Sequence, residues 1–290
     1  MILLFGDALY SSLPARFRDA MTRIPSALTI AGSDSGGGAG IQADLKTFAA
    51  HGVHGLSAIA ALTAQNTRGV TAVHVPPVDF LRAQVDACFD DFAIGAVKLG
   101  MLATADVIHA VADAIEHWRP AHVVLDPVMV ATSGAKLLAD DALDAMRMRL
   151  LPLATVLTPN MPEAELLLGA GIADGAAADA ALNALFARGP AAVLLKGAHL
   201  EEGARVVDRY ADASGETRFV HERIAVEGHG TGCTLASAIA ANLCLGLSPR
   251  DACAAATDYV ARALRGGYRP GLGAVTVLDH LGAACGDIGS

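Results

Sequence analysis

The stretch His229-Gly230-Thr231-Gly232-Cys233-Thr234 sets a tight glycine turn among a histidine, a cysteine and two threonines. An apolar, alanine-rich run, LASAIAANLCLG, follows it and reads as a helix. Where a glycine turn feeds a helix, the first backbone N–H groups have no partner inside the helix, and the helix dipole adds positive potential. Such a turn can hold a phosphate or an oxyanion. Alone, it is equally an ordinary junction between loop and helix. Other residues tilt the balance. Asp126 and Glu163 form a carboxylate pair able to hold Mg2+, directly or through water. Lys196 can neutralise phosphate oxygens. These are the parts that phosphoryl transfer needs. Each also has a structural reading: Asp126 can simply end a strand, Asn160 and Glu163 can start a helix, and Lys196 can be a solvated strand-end lysine.

The elements around these residues decide between the readings. SALTIAG is an apolar strand, GSDSGGGAG a glycine-dense loop, and IQADLKTFAAHG a helix stopped by Gly52. HGLSAIAALTAQNT is a second strand with a polar end, and TAVHVPP a short strand or sheet edge. Helices are expected over Val78–Asp91, Thr104–His117 (with Thr104 as N-cap), Asp141–Leu150, Gly175–Arg188 and Pro249–Leu264. Strands are expected over Ala96–Leu102 and in HVVLDP, TVLTPN and AAVLLKG. Pro162 can start the helix that follows TVLTPN. RVVDRYAD and TRFVHERIAV alternate around a GET turn and read as a hairpin at one sheet edge. Strand and helix alternate throughout, which predicts βαβ units and a mostly parallel sheet covered on both faces. In such sheets, ligands sit beyond the C-terminal strand ends. Those ends carry Asp34, Gln65, Met101, Asp126, Asn160 with Glu163, Lys196, and Gly230 to Cys233. Convergence on one rim favours a site.

Composition sets the outer bounds. The chain has 290 residues, a net charge of −9 and a hydrophobic share of 53% with only 4% aromatics. Such a charge excludes nucleic acid and an anionic membrane as main partners, and no apolar run approaches a membrane span. Cys88, Cys233, Cys244, Cys253 and Cys285 form no CxxC pair, which argues for a reducing, cytoplasmic setting. The first loop lacks the acidic partner of a dinucleotide fingerprint and the GK[ST] of a Walker A loop. Residues 1–25 read as an N-terminal extension, with two options open: a disordered segment, or a start at Met21. Residues 26–285 read as one domain.

The segments AGSDSGGGAGIQADLKTF, ALTAQNT, KLGML, DPVMVATSG, TPNMPEAE, LLKGAHL and HGTGCT occur in this order. Together they closely resemble the hydroxymethylpyrimidine/phosphomethylpyrimidine kinases of thiamine biosynthesis, over roughly residues 26–282. The resemblance implies a ribokinase-like three-layer α/β sandwich and a homodimer. It implies MgATP-dependent phosphorylation of 4-amino-5-hydroxymethyl-2-methylpyrimidine, then of its monophosphate to the pyrophosphate. It places the ring in a pocket of Ala39, Thr63, Gln65, Met101 and Val128, with Met101 and Val128 sandwiching it. A carboxamide at Gln65 offers donor and acceptor to an aminopyrimidine edge. Asn160, Lys196 and Thr231 would bind ATP phosphates, Asp126 and Glu163 the metal, and the Gly230–Thr231–Gly232–Cys233 turn would form the anion hole. Cys233 stands where other kinases of the fold carry an Asp base. A thiolate at a helix N-terminus can have a lowered pKa, which suits a general base; the alternative is that Cys233 only walls the pocket. Two departures stand out: the first loop lacks a proline that many relatives have, and Thr132 replaces a Lys, leaving Lys196, Lys136 or backbone groups to hold phosphate. Pyridoxal kinase activity and non-catalytic pyrimidine binding are the competing functions.

Overall fold

The computed structural model describes residues 24–129, 138–139, 141–200 and 203–284. The expectations for the N-terminal extension, Thr132, Lys136 and Cys285 lie outside them.

A nine-stranded sheet runs through the molecule in the order β3-β2-β1-β4-β5-β6-β7-β8-β9. Its middle is parallel: β1 (Ser26–Gly32), β2 (His54–Asn66), β4 (Ile94–Leu99), β5 (His122–Leu125), β6 (Val156–Leu157) and β7 (Ala192–Leu195). These strands are buried on both faces, which is why they read as unbroken apolar runs. The anticipated hairpin, β8 (Arg205–Asp212) and β9 (Gly215–Glu222), pairs antiparallel at one edge. The opposite edge is antiparallel too, because β2 runs on for thirteen residues and turns into β3 (Gly69–His74).

Two apolar layers flank the sheet. On one face lie α1 (Gly40–Ala50), α7 (Thr231–Cys244) and α8 (Pro249–Arg265), packed through Phe48, Leu235, Ile239, Ala256 and Tyr259. The other face carries α2 (Val78–Asp91), α3 (Ala105–Trp118), α4 (Ala142–Ala145), α5 (Met161–Leu168) and α6 (Gly175–Phe186). Alanine lets α7 lie close to the strands: Ala236, Ala238, Ala240 and Ala241 are wholly buried. Gly95 completes this fit, since a Cβ there would stand 2.8 Å from Cys244 Sγ.

Several expected boundaries shift. Thr104 does cap α3, accepting from Val107 N–H at 3.3 Å. The helix expected over Asp141–Leu150 is α-helical only to Ala145, continues as a π turn over Met146–Leu150 and ends in a 3-10 turn at Leu151–Leu153. Pro152 lies in that last turn, where its missing N–H breaks the ladder. The strand of TVLTPN is only two residues long; beyond it, Asn160 meets Lys196 in an isolated bridge.

Candidate functional site

The C-terminal strand ends open into one cavity of about 830 Å³. Ala39, Thr63, Gln65, Met101, Asp126, Val128, Asn160, Glu163, Lys196, Gly230, Thr231, Gly232 and Cys233 all line it. The structure therefore brings together every residue singled out in the sequence.

The floor is the glycine turn. Gly230 caps α7 with φ +84°, and a Cβ there would run into the Gly38 carbonyl, so only glycine fits. Thr234 N–H makes the first helical bond, to the Gly230 carbonyl at 2.9 Å. The N–H groups of Thr231, Gly232 and Cys233 thus have no partner inside the helix. Gly232 faces the charged centre: a Cβ there would lie 3.3 Å from Lys196 Nζ and 3.4 Å from Asp126 Oδ2.

That centre is built from three strand ends. Lys196 Nζ donates to Asp126 Oδ1 at 3.1 Å and stands 3.7 Å from Glu163 Oε2. The attraction of the two carboxylates outweighs burial and keeps the Lys196 ammonium charged. Asn160 and Glu163 form a capping box: Asn160 Oδ1 accepts from Glu163 N–H at 2.9 Å, and Glu163 Oε2 accepts from Asn160 N–H at 2.8 Å. The helix-start reading of these two residues and the site reading hold at once. Burial pushes the Glu163 carboxyl up to about 7; Lys196 opposes the rise and Asp126 adds to it. Asp126 Oδ2 is buried and has no hydrogen-bond partner. A buried carboxylate oxygen left unpaired is costly, so this corner is short of positive charge. It fits Mg2+, which takes one or two carboxylates and fills its shell with water and phosphate oxygens. Among the described residues, no group of three or more His, Cys, Asp or Glu forms an all-protein metal cage.

The other end is made for a ring. Gly32 leaves room for Met101, whose Cε would otherwise be 2.7 Å from a Cβ. Met101 clusters with Ala61 and Ala103, and Val128 packs against them. Asp34 shapes the glycine loop: its carboxylate accepts from the N–H groups of Gly36, Gly38 and Ala39 and from His229 Nε2 at 2.9 Å. These partners outweigh burial and hold the Asp34 carboxyl below its usual range. The same His229 Nε2 lies 3.2 Å from the Gln65 amide nitrogen. A carboxylate only accepts, so the ring N–H belongs to Asp34 and cannot also receive a proton from Gln65. Turning the amide over puts its oxygen toward the imidazole and its NH2 toward Thr63 Oγ1, which then donates to the Ser33 carbonyl at 2.8 Å. Gln65 is thus steered from behind, with amide capacity left for a ligand.

Cys233 departs from expectation. Burial pushes its thiol up to about 11; Lys98 opposes that rise, Asp44 and Asp126 add to it, and a Gly40 N–H relieves it. Desolvation defeats the helix N-terminus, so the lowered pKa expected of this cysteine is corrected to a raised one. Sequence reasoning also missed Lys98 and Asp44, a fully buried ion pair at 2.9 Å under the cavity floor. The signal was a lysine inside an apolar strand, AVKLGML, and an aspartate on the inner face of IQADLKTF. Asp208 and His221 line the far end of the cavity and were passed over as hairpin residues; they are bonded at 2.9 Å.

The phosphomethylpyrimidine kinase family model matches residues 34–278. The chain belongs to this family. It is 49% identical over 249 residues to a hydroxymethylpyrimidine/phosphomethylpyrimidine kinase from Rhizobium meliloti, covering 85% of this chain and 93% of the relative. It is also 49% identical over 241 residues to a thiamine biosynthesis bifunctional protein from Geobacter sulfurreducens. That match takes in 83% of the chain but spans only about half of the longer relative, 49%. Among solved structures it resembles the pyridoxal kinase from Staphylococcus aureus in complex with AMP-PCP and pyridoxal, with a TM-score of 0.82 and 32% identity over 89% of this chain and 94% of the other. The family's ribokinase-like sandwich is the architecture described above. Among the described residues no helix is long and apolar enough to cross a membrane.

Proposed function

We propose that the chain uses MgATP to phosphorylate the hydroxymethyl group of 4-amino-5-hydroxymethyl-2-methylpyrimidine, and then the resulting monophosphate. The observation that carries this reading is the unpaired Asp126 Oδ2, set beside Lys196 at the glycine turn that starts α7. Family membership and the nucleotide-bound structural relative support it.

The roles follow from geometry. Gln65 reads the aminopyrimidine edge, Thr63 and Ala39 border the ring, and Met101 and Val128 clamp its faces. Asn160, Lys196 and Thr231 hold phosphate oxygens of ATP, whose triphosphate carries the group transferred. Asp126 and Glu163 are the residues that would hold Mg2+, which when bound offsets phosphate charge. The free N–H groups of Thr231–Cys233 face the charge that builds up in transfer. Val226 with Val260, Ala261 and Leu264 of α8 gives an apolar wall suited to adenine. Cys233 takes the proton of the acceptor hydroxyl. Free thiols at Cys88, Cys233, Cys244 and Cys253 suit a cytoplasmic setting, and Leu62 and Val73, exposed on the β2–β3 hairpin, suit a homodimer.

Incubation with MgATP and the hydroxymethylpyrimidine, followed by mass spectrometry, should yield the monophosphate and then the pyrophosphate. Tight binding without turnover would leave a non-catalytic binder instead. The likeness to a pyridoxal kinase supports a second acceptor, pyridoxal; kcat/KM for the two rings measured side by side decides the preference, and Gln65 favours the pyrimidine.

A further inference from the structure

Four buried polar side chains lie behind the first turns of α7, and the roles above use none of them. Lys98 on β4 has no exposed surface, and its Nζ donates to Asp44 Oδ2 at 2.9 Å. Asp44, on α1, is equally sealed. Its Oδ2 also accepts from Thr29 Oγ1 at 2.6 Å, and its Oδ1 from Ser237 Oγ at 2.7 Å. Ser237 sits one helical turn beyond Cys233 on the same helix. One carboxylate therefore joins β1, β4 and α7. Asp44 has three donors, whereas Lys98 makes only one protein hydrogen bond among the described residues. An ammonium carries three N–H groups. This one borders the cavity from beneath its floor, together with Cys233. Gly100 keeps the space beside it free, since a Cβ there would stand 2.8 Å from Nζ.

Stability alone is a poor reason for such a pair. Burying two charges costs several kcal/mol each, and apolar replacement of both is often neutral or favourable. The placement of the charge suggests a reason. The thiol of Cys233 is surrounded by Lys98 from β4, Asp44 from α1, Asp126 after β5, Lys196 after β7 and the Gly40 N–H. Lys98 acts most strongly against the burial that keeps the thiol protonated.

We propose that Lys98 is a positioning residue for proton transfer: its ammonium, pinned by Asp44, is the fixed counter-charge of the Cys233 thiolate. This rests on Cys233 being the base. In the step itself the acceptor O–H bond breaks and an S–H bond forms on Cys233. The oxygen pair goes to the γ-phosphorus of ATP, and the bond to ADP breaks. Lys98 keeps its protons throughout.

The test is the pH dependence of Cys233 alkylation by iodoacetamide in the full chain, read peptide by peptide because other thiols are present. It is run on the parent, Lys98→Met and Asp44→Asn, beside kcat and KM. Lys98→Met should slow alkylation at fixed pH about tenfold or more, a shift of about one pKa unit upward. It should lower kcat by a similar factor and change KM for ATP less than about threefold. Asp44→Asn frees the ammonium from its carboxylate and should speed alkylation. A purely structural pair would destabilise both variants without opposite effects on the thiol, so equal or absent shifts overturn the proposal. The double variant Lys98→Met/Asp44→Leu leaves no unpaired charge and covers the case of a single variant that does not fold. It should slow alkylation less than Lys98→Met, and an unchanged rate in it counts against the proposal. Cys233→Ala with undiminished kcat would remove the base reading itself. A lost kcat in Cys233→Ala, with no alkylation shift in the lysine variants, would remove only the part given to Lys98.

Discussion

Two buried lysines stand near the N-terminus of α7, and they are built to opposite plans. Lys98 and Asp44 are both wholly inaccessible, and both oxygens of Asp44 are engaged. Lys196, Asp126 and Glu163 keep 14%, 2% and 9% of their side-chain surface, yet one buried oxygen of Asp126 has no partner. The first centre is saturated at its carboxylate and closed; the second is short of donors and open to the cavity. A protein gains nothing by leaving a buried oxygen unpaired unless something else arrives to pair it. The contrast marks which centre takes the ligand and which supports the machinery. Charge alone would not separate them, since burial is opposed by carboxylates at both lysines.

The sharpest way to break this contrast is to remove the unsatisfied group. Asp126→Ala should lower kcat on the order of 10²–10³-fold or more, the range seen when one transition-state contact is lost. The protein should melt no lower than the parent, because a buried oxygen without a partner goes with it. Loss of fold together with loss of activity would mean that Asp126 is structural like Asp44. Next in size is Gly232→Ala. Its added methyl would sit 3.3 Å from Lys196 Nζ and 3.4 Å from Asp126 Oδ2. No positive φ forbids it, so the fold should persist. Activity should fall roughly 10²-fold as the methyl takes the space of a phosphate oxygen. Steady-state kinetics with a thermal melt read both outcomes.

The sequence made the open centre legible and hid the closed one, for a physical reason. Residues that meet a ligand gather at strand ends, in turns and at helix starts, where polar types interrupt apolar runs. Asp126, Asn160, Glu163, Lys196 and the HGTGCT turn all interrupt in this way. Lys98 sits inside a strand, and Asp44 shares an inner helix face with Ile41 and Phe48. Their partners, Thr29 and Ser237, lie 15 and 193 positions from Asp44, and no local period encodes such a meeting. The parallel sheet and most helices were legible because buried strands and amphipathic helices carry their own periods. The π turn at Met146–Leu150 was not, since its sequence continues a helix. The thiol of Cys233 was misjudged because the helix terminus is visible in sequence and the burial that overrides it is not.

A third variant tests the ring end against the charged end. Gln65→Met keeps length and loses both hydrogen-bonding groups. It should lower kcat/KM for the hydroxymethylpyrimidine about 10–100-fold, the worth of one or two buried hydrogen bonds, and change KM for ATP little. Activity on pyridoxal should fall by less. Equal losses on both rings would mean that Gln65 serves the loop around Asp34 and His229 rather than the substrate edge.

The smallest effect is in stability, and it again separates the two centres. Burial holds the Glu163 carboxyl at about 7, above its usual 4.5. Between those values the folded chain keeps a proton there that the unfolded chain has released. Stability from this group therefore falls as pH rises through about 4.5 to 7, by no more than ~3 kcal/mol in total. Glu163→Gln retains an acceptor for the Asn160 N–H, so the capping box survives. The melting temperature of the ligand-free parent should drop below that of Glu163→Gln progressively across this window. Mg2+ with a non-hydrolysable ATP analogue should shrink the gap at pH 7.5, because a cation beside the carboxylates favours their charged form. A gap unmoved by pH would mean that Lys196 alone satisfies Glu163, leaving the charge deficit of the open centre to Asp126.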